Sequence, residues 1–158
     1  MTTFVLIPGA GGSASYWHRL VAELERRGHE ALAVDLPADD GDAGLAAYAD
    51  TVVAAVGDRG PVVLVAQSMG GLTAPLVCER VPVELLVLVN AMVPLPGETG
   101  GEWWTATRQA EARAEHAARA GLTDDPEDLT TAFFHDVPAE VAAAAQAQAR
   151  LEAYLGSR

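Results

Sequence analysis

The chain has 158 residues, half of them apolar and only 6% aromatic, enough for one hydrophobic core in a globular protein. Its formal net charge is −12, from 22 acidic and 10 basic residues, and the basic residues are scattered apart from Arg26-Arg27; this argues against nucleic acid, whose phosphates need clustered Lys and Arg. Cys78 is the only cysteine, the apolar run after Met1 is too short for a signal peptide, and no run approaches the length of a bilayer span. A cytoplasmic protein with no membrane partner is therefore expected.

Phe4 to Ile7 is a short apolar run stopped by Pro8-Gly9, and predicts a buried strand. Tyr16 to Arg27 carries Leu20, Val21 and Leu24 on one face, with Gly28 as a stop, and predicts a helix. A second strand follows over Ala31 to Val34, a second helix over Leu45 to Val56, a third strand over Val62 to Val65, a third helix over Gly71 to Arg80 and a fourth strand over Glu84 to Val89. Continuous apolar strands alternating with helices predict an α/β fold: a parallel sheet of about four strands, covered by helices on both faces. The segment Pro94 to Gly101 breaks this texture, and beyond it the β signal ends. Helices are expected over Glu102 to Ala120, over Pro126 to Phe134 with Asp125 as N-cap, and over Pro138 to Leu155. Residues 1–93 thus form an α/β unit and residues 94–158 a helical, cap-like segment, together one compact domain.

Chemistry concentrates at two loops. Ala66-Gln67-Ser68-Met69-Gly70 joins the third strand to the third helix, with small residues two places either side of the serine. That is the pattern of a nucleophile elbow, a strained turn that lifts a hydroxyl clear of the sheet. The blander reading is a tight turn whose serine caps the helix. Pro8-Gly9-Ala10-Gly11-Gly12-Ser13 follows the first strand, and its glycines let backbone amides approach a developing oxyanion. The expected donors are the amides of Ala10 and Met69, with Gly9, Gly11, Gln67 and Trp103 as substrate-contacting candidates. Trp103-Trp104 has the alternative use of anchoring the cap. Gly9 to Ala14 also satisfies G-x-G-x-x-G/A, with Asp35 ending the second strand where a dinucleotide fold keeps its ribose-binding acid. Against that reading, Pro8 stiffens the turn, and the elbow would have no task.

Phe4-Val-Leu-Ile-Pro-Gly-Ala10, Tyr16-Trp17, Gly28-His29, Ala33-Val-Asp-Leu-Pro37 and Ala66-Gln-Ser-Met-Gly-Gly71 together resemble the α/β-hydrolase fold, in its esterase and hydroxynitrile-lyase-like branch. The resemblance covers residues 3 to about 90, and His135-Asp-Val-Pro138 looks like part of that branch's helical cap. It implies an enzyme that cleaves small esters or related acyl compounds with Ser68, needing neither cofactor nor metal.

In this fold the catalytic order is Ser, acid, His, and the strands that would carry the acid and histidine are not visible, so the chain resembles a C-terminally shortened form. His18 and His29 precede the elbow and are expected to face solvent, and His116 sits among Glu111, Arg113, Glu115 and Arg119. His135, beside Phe133-Phe134, is the remaining candidate base; its alternative is a helix-end histidine. Asn90 stands where some members carry the acid, and an amide cannot support an imidazolium as a carboxylate does. A non-catalytic binding remnant of the fold is the alternative function. The strand over 84–89 would be an uncovered apolar edge, which predicts a homodimer paired through it.

Overall fold

A computed structural model describes residues 1–122, 133–134 and 136–147. Four strands, β1 (Thr3–Ile7), β2 (Glu30–Ala33), β3 (Val62–Gln67) and β4 (Val83–Val89), form one parallel sheet in the order β2-β1-β3-β4. Between them lie a 3-10 turn (Ala14–Trp17) running into α1 (His18–Arg26), then α2 (Leu45–Val56) and α3 (Gly70–Cys78). After the sheet come α4 (Gly100–Ala106), α5 (Gln109–Ala120) and α6 (Ala139–Ala147).

The alternation of side chains along β3 explains the layers. Val62, Leu64 and Ala66 face a core with Tyr48, Val52 and Val56 of α2 and Leu72 and Val77 of α3. Val63 and Val65 face the other way, onto Leu6, Trp17 and the Leu20, Val21 and Leu24 stripe of α1. A strand buried on both faces needs apolar residues at every position, hence the unbroken run in the sequence. β4 lies at the edge, and Leu85, Leu88 and Val89 remain 54%, 44% and 38% exposed. It is the uncovered apolar edge that the sequence predicts.

Two helices depart from expectation. The helix expected from Tyr16 opens as a 3-10 turn, because Ser13 Oγ accepts from the Ser15 amide at 3.2 Å and Asp35 Oδ1 accepts from the Ala14 amide at 2.8 Å. These two bonds tie the entry tightly before α1 begins. The single helix expected over Glu102 to Ala120 is two, broken at Arg108, whose φ is 53°. Thr99 and Glu102 cap α4 reciprocally. At its other end the Thr105 and Thr107 hydroxyls donate to the Gly101 and Trp103 carbonyls, and such back-bonding loosens a helix. The helix expected over Pro126 to Phe134 and the far end of the one over Pro138 to Leu155 fall outside the described residues.

Candidate functional site

The order β2-β1-β3-β4 means that the chain runs from β1 one way to β2, then crosses back over β1 to β3 and on to β4. Between β1 and β3 the sheet changes its winding direction, and open α/β sheets place their ligand crevice at the carboxyl ends of the strands there. The two loops singled out in the sequence flank this point. Pro8 to Ser13 follows β1, and Ser68 follows β3.

Ser68 is half-buried with φ 50°, a left-handed conformation that a serine holds only when its surroundings impose it. Backbone hydrogen bonds impose it: its amide donates to the Val89 carbonyl at 3.1 Å, and its carbonyl accepts from the Gly71 amide at 3.1 Å and the Met92 amide at 2.9 Å. The small neighbours are required by contact. Ala66 is fully buried, and a Cβ on Gly70 would lie 2.9 Å from the Pro8 carbonyl oxygen. Among the described residues nothing hydrogen-bonds the Ser68 hydroxyl.

The β1 loop comes equally close. A Cβ on Gly9 would lie 2.8 Å from Ser68 Cβ. The Gly12 amide donates to the Gly9 carbonyl at 3.1 Å, closing a turn whose third residue, Gly11, has φ 88°, the geometry of a type II turn. Ala10, second in that turn, is exposed, and among the described residues no acceptor takes its amide or that of Met69. Met69 itself is buried at the N-cap of α3, where the helix dipole favours negative charge. A hydroxyl and two amides, none with a partner among the described residues, thus lie together at the carboxyl ends of β1 and β3; unengaged donors so placed are of the kind that can receive an oxyanion.

The other sequence candidates separate. Gln67 accepts from the Gly9 amide through Oε1 at 3.1 Å. Trp103 donates through Nε1 to the Val93 carbonyl at 3.2 Å and packs against the core of the α2–α3 face, so it ties the segment after β4 to the sheet. The surface depression between Leu95 to Thr99 and one side of α4 includes no candidate residue. His18 is exposed with Nδ1 2.8 Å from the Ser15 carbonyl, and His116 is exposed on α5. His29 corrects an expectation: it is half-buried edge-on against Phe4, with ring centroids 5.2 Å apart, because the residue entering β2 lies beside β1. His135 and the N-cap candidate Asp125 lie outside the described residues. Among those described, no three His, Cys, Asp or Glu side chains form a group that could hold a metal ion.

The dinucleotide reading loses its acid. Asp35 is committed to the Ala14 amide, and a Cβ on Gly12 would lie 2.9 Å from Ala38 Cβ. The glycine-rich loop therefore packs on the end of β2 and enters a 3-10 turn rather than a long helix that could receive a pyrophosphate. Sequence reasoning missed the role of Gly71, where a Cβ would lie 2.0 Å from the Met92 carbonyl oxygen, and it read Asn90 only as a place for the acid, not as a left-handed residue (φ 39°). The Gly70-Gly71 pair was the available signal.

Residues 4–158 match the alpha/beta hydrolase family. The chain belongs to that family. Among alpha/beta hydrolases it is similar to "Probable esterase PIR7A" of Oryza sativa subsp. indica, at 36% identity over 110 residues, covering 62% of this chain and 42% of the rice protein. An extracellular alpha/beta-hydrolase from a Paenibacillus species superposes with a TM-score of 0.75 at 23% identity, over 98% of this chain and 68% of its own. Polyneuridine aldehyde esterase superposes with a TM-score of 0.57 at 26% identity, over 69% and 48%. The chain spans about two fifths of the length of the rice relative.

Proposed function

We propose that this alpha/beta hydrolase chain carries a serine centre for cleaving small carboxylic esters. The observation that supports it most is the strained Ser68, held left-handed between β4 and the loop after it, with Gly9 against its side chain. Ser68 Oγ bonds to the ester carbonyl carbon, and the carbonyl π electrons move to oxygen. The Ala10 and Met69 amides receive that oxyanion. Collapse expels the alcohol and leaves an acyl-serine, which water hydrolyses. The esterase relatives support an ester as substrate, and Gly9 and Gly11 admit it by leaving the loop without side chains.

His135 is the candidate base in this reading: it follows Ser68 in the chain beside the apolar pair Phe133-Phe134, and would substitute for the histidine that this fold carries after its last strand. It takes the Ser68 proton and returns it to the departing alcohol. His135→Ala is expected to lower turnover of p-nitrophenyl acetate to the roughly 10³–10⁴-fold acceleration over water that oxyanion stabilisation and binding sustain. Unchanged turnover would remove His135 from the mechanism.

A fluorophosphonate tests Ser68 directly, since attack forms an Oγ–P bond and releases fluoride. Labelling of the wild type and none of Ser68→Ala is the expected result. A second reading, a site that binds without turnover, is favoured by the absence of any described partner for the Ser68 hydroxyl. It predicts a folded, unlabelled wild type whose melting temperature rises with an ester analogue, equally in Ser68→Ala. The apolar edge of β4 further supports a homodimer, two copies paired along residues 84–89.

A further inference from the structure

We infer that Gln67 is a positioning residue that sets the oxyanion loop against Ser68; this rests on the reading of Ser68 and Ala10 above. The parallel ladder between β1 and β3 runs as far as Ile7 opposite Ala66. Pro8 has no amide hydrogen, so the ladder cannot continue through it. The next donor along the chain is the Gly9 amide, buried and beyond the last paired residue of β1. The Gln67 side chain satisfies it, with the Gly9 amide donating to Oε1 at 3.1 Å across 58 positions of sequence.

The strand explains why this residue can reach. By the alternation of β3, Gln67 continues the row of Val63 and Val65, and that row faces the side on which the loop after β1 runs into Trp17 and α1. An amide thus ends a row of valines, next to a backbone donor that the β1–β3 ladder leaves over. Gly9 is then held at both ends: its amide by Gln67, its carbonyl by the Gly12 amide. The peptide between Gly9 and Ala10 is fixed by those two bonds, and it carries the Ala10 amide. Gln67 and Ser68 are consecutive, so one short segment presents the hydroxyl and aims the donor for the charge that the hydroxyl's attack creates. Donors set before the reaction cost no reorganisation during it.

The consequence belongs to the chemical step, not to affinity. Gln67→Met keeps the length and apolar stem and removes the acceptor, whereas Gln67→His restores one. With a fluorophosphonate on the full chain, Gln67→Met is expected to lower the maximal rate of Ser68 labelling about tenfold or more, below the 10²–10³ lost with a whole donor. The half-saturating probe concentration is expected to stay near wild type, the melting temperature to fall only by what one unsatisfied buried amide costs, and Gln67→His to recover much of the rate and of the stability. Hydrogen exchange by NMR gives a readout independent of chemistry: the Gly9 amide should exchange at least about tenfold faster in Gln67→Met, about the protection that one modest hydrogen bond confers. Gly9 protection unchanged in Gln67→Met overturns the contact. A wild type that labels, with Gln67→Met labelling as fast, overturns the positioning role alone. A wild type that does not label overturns the reading of Ser68 and this inference with it.

Discussion

Gly71 stands where the carbonyl of Met92 presses on α3, and no side chain fits there. A Cβ would lie 2.0 Å from that oxygen, with Ala91 Cβ at 3.0 Å. Since the Met92 amide also donates to the Ser68 carbonyl, a push at Gly71 reaches the elbow through one residue. Gly71→Ala is expected to destabilise by at least about 1–3 kcal/mol, the usual cost of overpacking, and to slow Ser68 labelling. Gly101→Ala is the matched control. Gly101 lies within α4 with nothing near its missing Cβ, and alanine in a helix should gain up to about 1 kcal/mol over glycine. Urea midpoints of the two variants moving in opposite directions is the expected result; a neutral Gly71→Ala would contradict the packing. At this scale the sequence was legible where small residues carry a motif, as at Ala66 and Gly70. It was silent on Gly71, whose reason is a carbonyl 21 positions away.

Among the elements, β1 and β2 share a polar tie at the end opposite the site. Thr3 Oγ1 donates to Glu30 Oε2 at 2.8 Å, and Arg59 Nε donates to Glu30 Oε1 at 2.9 Å. The Thr3 hydrogen bond, then that of Arg59, holds the Glu30 carboxyl below the ordinary glutamate value. A carboxyl lowered in the folded state adds stability above its unfolded value, and loses it as pH falls through the folded one. Glu30→Gln should therefore be less stable than wild type at pH 7, with the gap closing as pH falls from about 4.5 downward. Denaturant midpoints followed from pH 7 downward measure it, and a gap that does not narrow as pH falls would refute the tie. The element types of the α/β half were legible because each strand is a continuous apolar run and α2 is closed by glycines at both ends. The break at Arg108 was not, because Glu102 to Ala120 contains no glycine or proline and the competition lies in the Thr105 and Thr107 hydroxyls.

For the whole molecule, two properties oppose each other. The edge strand β4 exposes Leu85, Leu88 and Val89, and among the described residues no strand pairs with its outer side, a template for a further strand. The net charge of −12 repels a second copy. Screening shortens the repulsion from about 30 Å at 0.01 M to about 8 Å at 0.15 M salt and leaves apolar pairing intact. The proposed dimer should accordingly grow with salt in sedimentation velocity, and Leu85→Lys with Leu88→Lys should abolish it. A wild type that stays monomeric at every ionic strength would rule it out. The amino-acid sequence by itself determined the parallel α/β fold and the seat of Ser68, because both follow from short-range patterns: apolar runs, helix stops and small residues about a serine. Only the tertiary structure decided that Asp35 serves the Ala14 amide, that Gln67 serves Gly9 and that Met92 closes on Gly71. Those are contacts across 21, 58 and 21 positions, and no local pattern encodes them. They arise where the ends of separate strands meet at the carboxyl edge of the sheet.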